Sequence, residues 1–415
     1  MNQPFHVHPP VPLHILIAGG GLGGLALAQG LIKDGHTVEV YERDDGIGER
    51  QGYYLTMNGD GGESLRRLLP EDLYELYLVT SRLPYPTQAS IVRTPQLEQL
   101  GVQPSLGRRN LGPRRHTGFD RRTLRRILGT RIQESIRWGV TAESYDEDGA
   151  GVTLRLGDGS TVRGDILVIA NGIYSTLRDQ RLPETRIIST AIRGIDLYAR
   201  APYTDELLGQ IPEELHDSMT MVVDGKGNRC LLGSFRPRQP IREAAAEVDG
   251  ADLDPTGGYM MVSCSVPPGT PIPPFSEWTE QTGRDIKAAM QVTVDEWHPS
   301  IRAILEATDP DSVFPISFSY LEPQQRWDPS RVTVLGDAAH GMLPTKGMGA
   351  NSTFYDAAFL CDRLADAAAG RKDIPQAIGE YEAAMRSFAY PVIAMAADHD
   401  NQFGGGAINR AEATA

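Results

Sequence analysis

Residues 14–42 read HILIAGGGLGGLALAQGLIKDGHTVEVYE, and this stretch decides the fold. Residues 14–18 form a continuous apolar run, the pattern of a strand buried on both faces of a parallel sheet. Glycines follow, residues 22–34 read as a helix closed by Gly35, and residues 37–42 read as a second strand. A strand, glycine turn, helix and strand within about 30 residues make the smallest mononucleotide-binding unit. Inside it Gly19, Gly21 and Gly24 fit the pattern G-x-G-x-x-G. Gly19 permits the tight turn, Gly21 lets the backbone approach a pyrophosphate, and Gly24 lets helix and strand pack closely. Leu22 then opens the helix whose N-terminus receives the phosphate charge. Glu42, about 20 residues on, stands where a carboxylate accepts hydrogen bonds from ribose hydroxyls, with Arg43 beside it. This unit alone leaves NAD and FAD both open.

Around it lies a chain of 415 residues with 40 basic and 54 acidic side chains, a net charge of −14. That balance argues against a nucleic-acid partner gripped by phosphate neutralisation. At about 150 residues per domain the length predicts two to three domains. Cys230, Cys264 and Cys361 are too few and too scattered for a disulfide framework or a thiolate metal site. A reducing, cytoplasmic setting without a metal is the expectation. The apolar run over residues 13–32 carries six glycines, and no basic residue precedes it, so it reads as neither a membrane span nor a signal peptide.

Further along, Leu124, Ile127, Leu128, Ile132 and Ile136 recur at three and four residues, which predicts an amphipathic helix over residues 119–138. A hairpin is expected around Gly157-Asp158-Gly159, followed by a buried strand over 165–170. From 186 to about 320 the texture changes to alternating strands broken by Pro and Gly, a mostly antiparallel region. Residues 331–335 restore a buried strand, and helices are expected over 350–369 and 375–397. The expected organisation is an α/β nucleotide-binding domain in two parts, 12–185 and 323–370, interrupted by a β-rich substrate domain at 186–322. A helical segment at 371–415 completes it.

A second motif is Val334-Leu335-Gly336-Asp337-Ala338-Ala339-His340, followed by Pro344 and by Gly347-Met348-Gly349-Ala350-Asn351. Here a strand delivers the Asp337 carboxylate to a loop edge, and a glycine-rich turn feeds a helix whose first amides face the same crevice. Such a helix end stabilises an electron-rich ring atom by about 0.3 to 2 kcal/mol. With these motifs the chain resembles the class A, single-component FAD-dependent monooxygenases, the family of para-hydroxybenzoate hydroxylase. In motif it is most similar to the tetracycline-inactivating branch.

The resemblance implies a Rossmann-like FAD-binding domain interrupted by a mostly antiparallel β-sheet substrate domain, with FAD as cofactor and NAD(P)H as electron donor. By position it implies that Asp337 binds ribityl hydroxyls and that Pro344 flanks the isoalloxazine ring. Gly347, Gly349, Ala350 and Asn351 would offer amides to the pyrimidine edge. The family's Arg-x-x-Leu-x-x-x-Leu helix start matches Arg121, Leu124 and Leu128. This implies that Arg121 reaches the FAD phosphates or ribityl chain, with Arg122 as an adjacent competitor. The stretch Asn171-Gly172-Ile173-Tyr174-Ser175-Thr176-Leu177-Arg178 matches Asp-Gly-x-x-Ser-x-x-Arg with Asn171 in place of the acid. Taken alone, Arg178 reads equally as a solvated surface residue. Thr345 and Lys346 depart from the commoner Pro-x-Gly-Gln-Gly form.

The chemistry so implied is reaction of reduced flavin with O2 to a C4a-hydroperoxide that hydroxylates an aromatic or polyketide-like small molecule. In such a site the protein supplies orientation and a dry pocket, so a catalytic dyad is not required. Tyr53, Tyr54 and Arg193 are candidates for lining the substrate pocket, and His340 reads as structural. Baeyer–Villiger oxidation, epoxidation or reduction on the same fold remain alternatives, as do a flavin-free nicotinamide dehydrogenase and a noncatalytic nucleotide-binding module. Trp138, Trp278, Trp297 and Trp327 are isolated, which disfavours the Trp-x-Trp signature of flavin halogenases.

Overall fold

A computed structural model describes residues 11–48, 53–86, 89–104, 116–189, 195–265, 273, 277, 279–317, 319–344 and 347–403. Its centre is a five-stranded parallel sheet, in the order Val332–Val334, Ile166–Ile169, His14–Ala18, Thr37–Glu42 and Ile136–Trp138. The inner strands are buried along almost their whole length, as expected where helices and a second sheet cover both faces. The helix Leu22–Lys33 is buried nearly all round, wedged between this sheet and the long helix Gly349–Ala368. Three antiparallel strands, Ala142–Asp148, Gly151–Leu156 and Thr161–Gly164, add Val152 and Leu154 to the same core.

A seven-stranded sheet forms the other half, in the order Phe314–Ser317, Ile195–Pro202, Tyr259–Ser265, Arg229–Phe235, Met219–Val223, Ala89–Arg93 and Gln99–Pro104. All its pairings are antiparallel except that of Met219–Val223 with Ala89–Arg93. Two of its strands thus come from residues 89–104, ahead of the 186–322 stretch that supplies the rest. Leu197, Val222, Leu232 and Val262 pack with the helices Glu280–Thr293 and Pro299–Glu306 into a second core. The helix Ile374–Phe403 lies against Gly349–Ala368. Among the described residues no helix is long and apolar enough to cross a membrane.

One expected helix is cut short. The periodic stretch 119–138 is helical only over Arg121–Gly129, where Asp120 caps the start by accepting from the Thr123 amide at 2.9 Å. Arg131 then takes a left-handed φ of 65°, and Ile136–Trp138 joins the parallel sheet beside Thr37–Glu42. Ile132 and Ile136 still face a core, but sheet pairing on the open edge outweighs the helical period. The glycines near residue 60 open the helix Gly59–Leu68. A Cβ on Gly61 would stand 2.3 Å from Asn351 Oδ1, so the missing side chain allows close approach to the Gly349–Ala368 helix.

Candidate flavin site

The glycine turn does what its spacing predicts. Gly19 has φ +113°, and a Cβ there would lie 2.5 Å from the Ala170 carbonyl oxygen, so the turn is pressed against the neighbouring strand end. A Cβ on Gly24 would lie 1.9 Å from the Gly19 carbonyl oxygen. Gly21, by contrast, has nothing within 4 Å of its Cβ position, and as N-cap of Leu22–Lys33 it supplies no side-chain acceptor. The first amides of this helix are therefore presented at an open backbone, which fits a phosphate ligand.

The second motif arrives beside it. After Val332–Val334 the chain turns at Gly336, φ +62°, and Asp337 begins a one-turn helix with its side chain exposed. Thr353, in the first turns of Gly349–Ala368, joins the two motifs. A Cβ on Gly23 would lie 2.4 Å from its Cγ2, and one on Gly336 would lie 3.0 Å from it. Met348, the N-cap of that helix, makes no side-chain cap. Two uncapped helix starts and an exposed carboxylate thus gather around Thr353, a donor and acceptor set that fits a dinucleotide carrying a ribityl chain.

Asn351 plays a different part from its neighbours. Its side chain is 2% exposed, accepts from the Asn58 amide at 2.9 Å, and donates to the Thr56 and Gly347 carbonyls at 3.0 and 2.9 Å. Its polar atoms are spent on pinning the glycine turn to the strand Tyr54–Thr56. Gly347, φ +63°, closes that turn by donating to the Pro344 carbonyl at 2.9 Å, while Gly349 and Ala350 remain partly open and Pro344 is exposed. Thr345, Lys346 and Arg193 lie outside the described residues.

Behind Asp337 sits a buried ion pair. His340 Nε2 meets Asp356 Oδ2 at 2.6 Å with both side chains fully buried, and the same oxygen accepts from the Gly336 amide at 3.3 Å. Burial alone would lower the His340 pKa, but the charge and hydrogen bond of Asp356 together outweigh it and raise the pKa above 6.5. His340 is structural in this sense: it braces the turn that presents Asp337.

At the other end, Glu42 Oε2 accepts from the Gly20 amide at 2.7 Å and Oε1 from the Asp44 amide at 3.1 Å. Arg43 extends outward, 79% exposed. Arg121 holds its guanidinium 5.8 Å from the Tyr53 ring centre. Arg122 pairs with Asp254, as does Arg126 at 2.9 Å. Sequence reasoning missed Arg125, whose Nε donates to the Gly20 carbonyl at 2.8 Å and whose Nη2 reaches Glu42 Oε2 at 3.3 Å. Its position, four residues after Arg121 and hence on the same helix face, was the available signal.

Two other expectations resolve by packing. Arg178 is 1% exposed and bonds the Ile173 carbonyl and Asp179, so it holds its own loop rather than facing solvent. Tyr54 is buried between Phe235 and Arg82, whereas Tyr53 is half-buried beside Tyr198 and Phe314, at ring separations of 5.6 and 5.2 Å. Of the two tyrosines, Tyr53 is the one left partly exposed.

Comparison with known proteins matches both motifs. A family model for an FAD binding domain fits residues 283–396, and one for an NAD(P)-binding Rossmann-like domain fits residues 17–56. The dual O-methyltransferase/FAD-dependent monooxygenase CTB3 of Cercospora beticola is 32% identical over 403 residues, covering 90% of this chain and 44% of that protein. The chain thus spans less than half the length of the first curated relatives it matches. The FAD-dependent monooxygenase thnD of Trichoderma harzianum is 29% identical over 393 residues, 90% of this chain and 89% of that one. A crystal structure of a putative FAD containing monooxygenase from Photorhabdus luminescens superposes with TM-score 0.75 at 25% identity, covering 92% of this chain and 96% of the other. One family match contains Gly23 and the other Thr353, the residues through which the two motifs touch, so the chain carries an FAD binding domain beside an NAD(P)-binding Rossmann-like segment and is similar to FAD-dependent monooxygenases over about nine-tenths of its length.

Proposed function

We propose that this chain is an NAD(P)H-driven monooxygenase that binds FAD and uses O2 to hydroxylate an aromatic or polyketide-like small molecule. The observation that carries the reading is the gathering of the open Gly21 turn, the exposed Asp337 and the uncapped start of Gly349–Ala368 around Thr353. In this assignment the first amides after Gly21 hold the pyrophosphate and Glu42 the adenosine ribose. Asp337 orients the ribityl hydroxyls, and the amides of residues 347–351 lie against the ring. Bound FAD supplies the redox step and oxygen activation. The chain's own share is to orient the partners and keep water out, with Tyr53, Tyr198 and Phe314 as an aromatic wall for a flat substrate.

Hydroxylation is favoured over ring-expanding chemistry by one feature of the relatives. The Cercospora protein's name joins a monooxygenase to an O-methyltransferase, and methyl transfer to oxygen needs the kind of hydroxyl that hydroxylation makes.

An absorption spectrum of the purified protein, followed during anaerobic titration with NADPH and then NADH, tests the redox half. Flavin bands bleached by either donor are expected. A colourless protein that takes up no added FAD overturns the assignment, and labelled oxygen from O2 appearing in product separates oxygenation from reduction. Asp337→Ala is expected to lower FAD affinity by about ten- to a hundredfold, the worth of hydrogen bonds to a charged group, while the exposed position leaves thermal stability unchanged. Equal flavin content in variant and parent, measured after gel filtration, would remove Asp337 from the site.

A further inference from the structure

We propose that Arg125 is a positioning residue that sets Glu42 for the adenosine ribose and thereby makes this chain select FAD over FMN. The inference rests on the flavin assignment above and concerns a side chain outside the motif positions that carry it: in Arg-x-x-Leu-x-x-x-Leu, Arg125 falls on an unspecified place.

The geometry is that of a buried clamp. Arg125 is 2% exposed and leaves the Arg121–Gly129 helix toward the glycine turn. Its Nε donates to the Gly20 carbonyl at 2.8 Å, its Nη2 reaches Glu42 Oε2 at 3.3 Å, and its guanidinium carbon lies 5.4 Å from the Trp138 ring centre. Trp138 is the cross-strand partner of Glu42, so the cation is boxed between the carboxylate, the turn and the indole. Burying an arginine this deeply is costly unless each contact is used, and burial, with Arg121 nearby, lowers its pKa.

What the clamp accomplishes follows from counting acceptor positions. A carboxylate offers about four, two on each oxygen. On Glu42 the Gly20 amide and Arg125 occupy Oε2, and the Asp44 amide takes one position on Oε1. One position on Oε1 is left for a ribose hydroxyl, on a side chain held from rotating because the Gly20 amide and Arg125 together tie it to the same turn that receives the pyrophosphate. Without Arg125, Glu42 keeps its amide contacts, that to Gly20 included, but loses the second of the two links that hold the acid and the turn in one fixed relation. Only a ligand spanning both, a dinucleotide with an adenosine half, registers that loss. FMN, which has no adenosine, does not.

The test uses the full chain freed of flavin and titrated separately with FAD and FMN, with flavin fluorescence as the readout. In Arg125→Lys, which keeps the charge but cannot make both contacts, FAD affinity is expected to fall at least tenfold while FMN affinity stays within twofold. Glu42→Gln should lower FAD affinity similarly, and adding Arg125→Lys to it should cost little more, because the two act as one unit. A loss shared equally by FAD and FMN, or full additivity of the two substitutions, assigns Arg125 to packing and overturns the proposal. If the parent chain binds neither flavin, the flavin assignment itself has failed, a result distinct from a parent that binds FAD with an unaltered preference in the variants.

Discussion

Gly24→Ala is expected to destabilise the protein by about 3 kcal/mol, the upper end of what overpacking costs, and to abolish FAD binding. The added Cβ would sit 1.9 Å from the Gly19 carbonyl oxygen and 3.3 Å from Ile17 Cγ2. Neither side can yield. Gly19 is itself backed by the Ala170 carbonyl, and the helix carrying Gly24 is hemmed in one residue earlier, where Thr353 and Leu335 press against Gly23. Relief requires backbone movement of about an ångström in the turn that receives the phosphates, so stability and cofactor affinity fall together. Gly21→Ala is the contrast, because its Cβ position is empty. It should change stability by no more than about 0.5 kcal/mol. Urea unfolding of both variants, with FAD titration, checks this; a Gly24→Ala protein that unfolds at the parent's denaturant concentration would contradict the close packing.

The second large effect concerns the ion pair under the Asp337 turn. Asp356→Ala leaves His340 buried without its partner and is expected to cost about 3–5 kcal/mol. Replacing both together by apolar residues, His340→Leu with Asp356→Leu, should restore much of the loss, because a filled apolar site carries no desolvation penalty. The pair also makes stability depend on pH in a definite sense. Since the folded pKa of His340 is raised above 6.5, its contribution is complete below pH 6.5 and is lost as pH rises through the folded value. The thermal stability advantage of the parent over the double variant should therefore shrink toward alkaline pH. An advantage that grows with pH would mean that His340 is neutral in the folded protein.

How much of this was legible beforehand depends on the range of the interaction. The unit over 14–42 formed with the expected strands and a helix within a residue of its expected end, because its signals are local: apolar runs, glycine φ preferences and a single closing turn. The exposure of Asp337 was legible for the same reason, since the sequence sets it directly after a strand end and a glycine turn.

The remaining assignments depended on partners distant in the chain. A periodicity of three and four over 119–138 does not reveal that the second strand of the nucleotide-binding unit leaves an open edge for Ile136–Trp138. Nor does a motif containing Asn351 show that its amide is committed to Thr56 and Gly347, or that residues 89–104 pair with Met219–Val223.

The arginines show the division most sharply. Four of them, Arg121, Arg122, Arg125 and Arg126, occupy one short helix and are alike in composition, charge and propensity. The sequence alone determined that a cationic, amphipathic helix forms here, and only the family resemblance implied that Arg121 reaches the cofactor. Tertiary structure decided that Arg122 and Arg126 pair with Asp254, that Arg121 lies by Tyr53 and that Arg125 reaches Glu42, because each guanidinium is directed by whichever acceptor the fold brings within hydrogen-bond range.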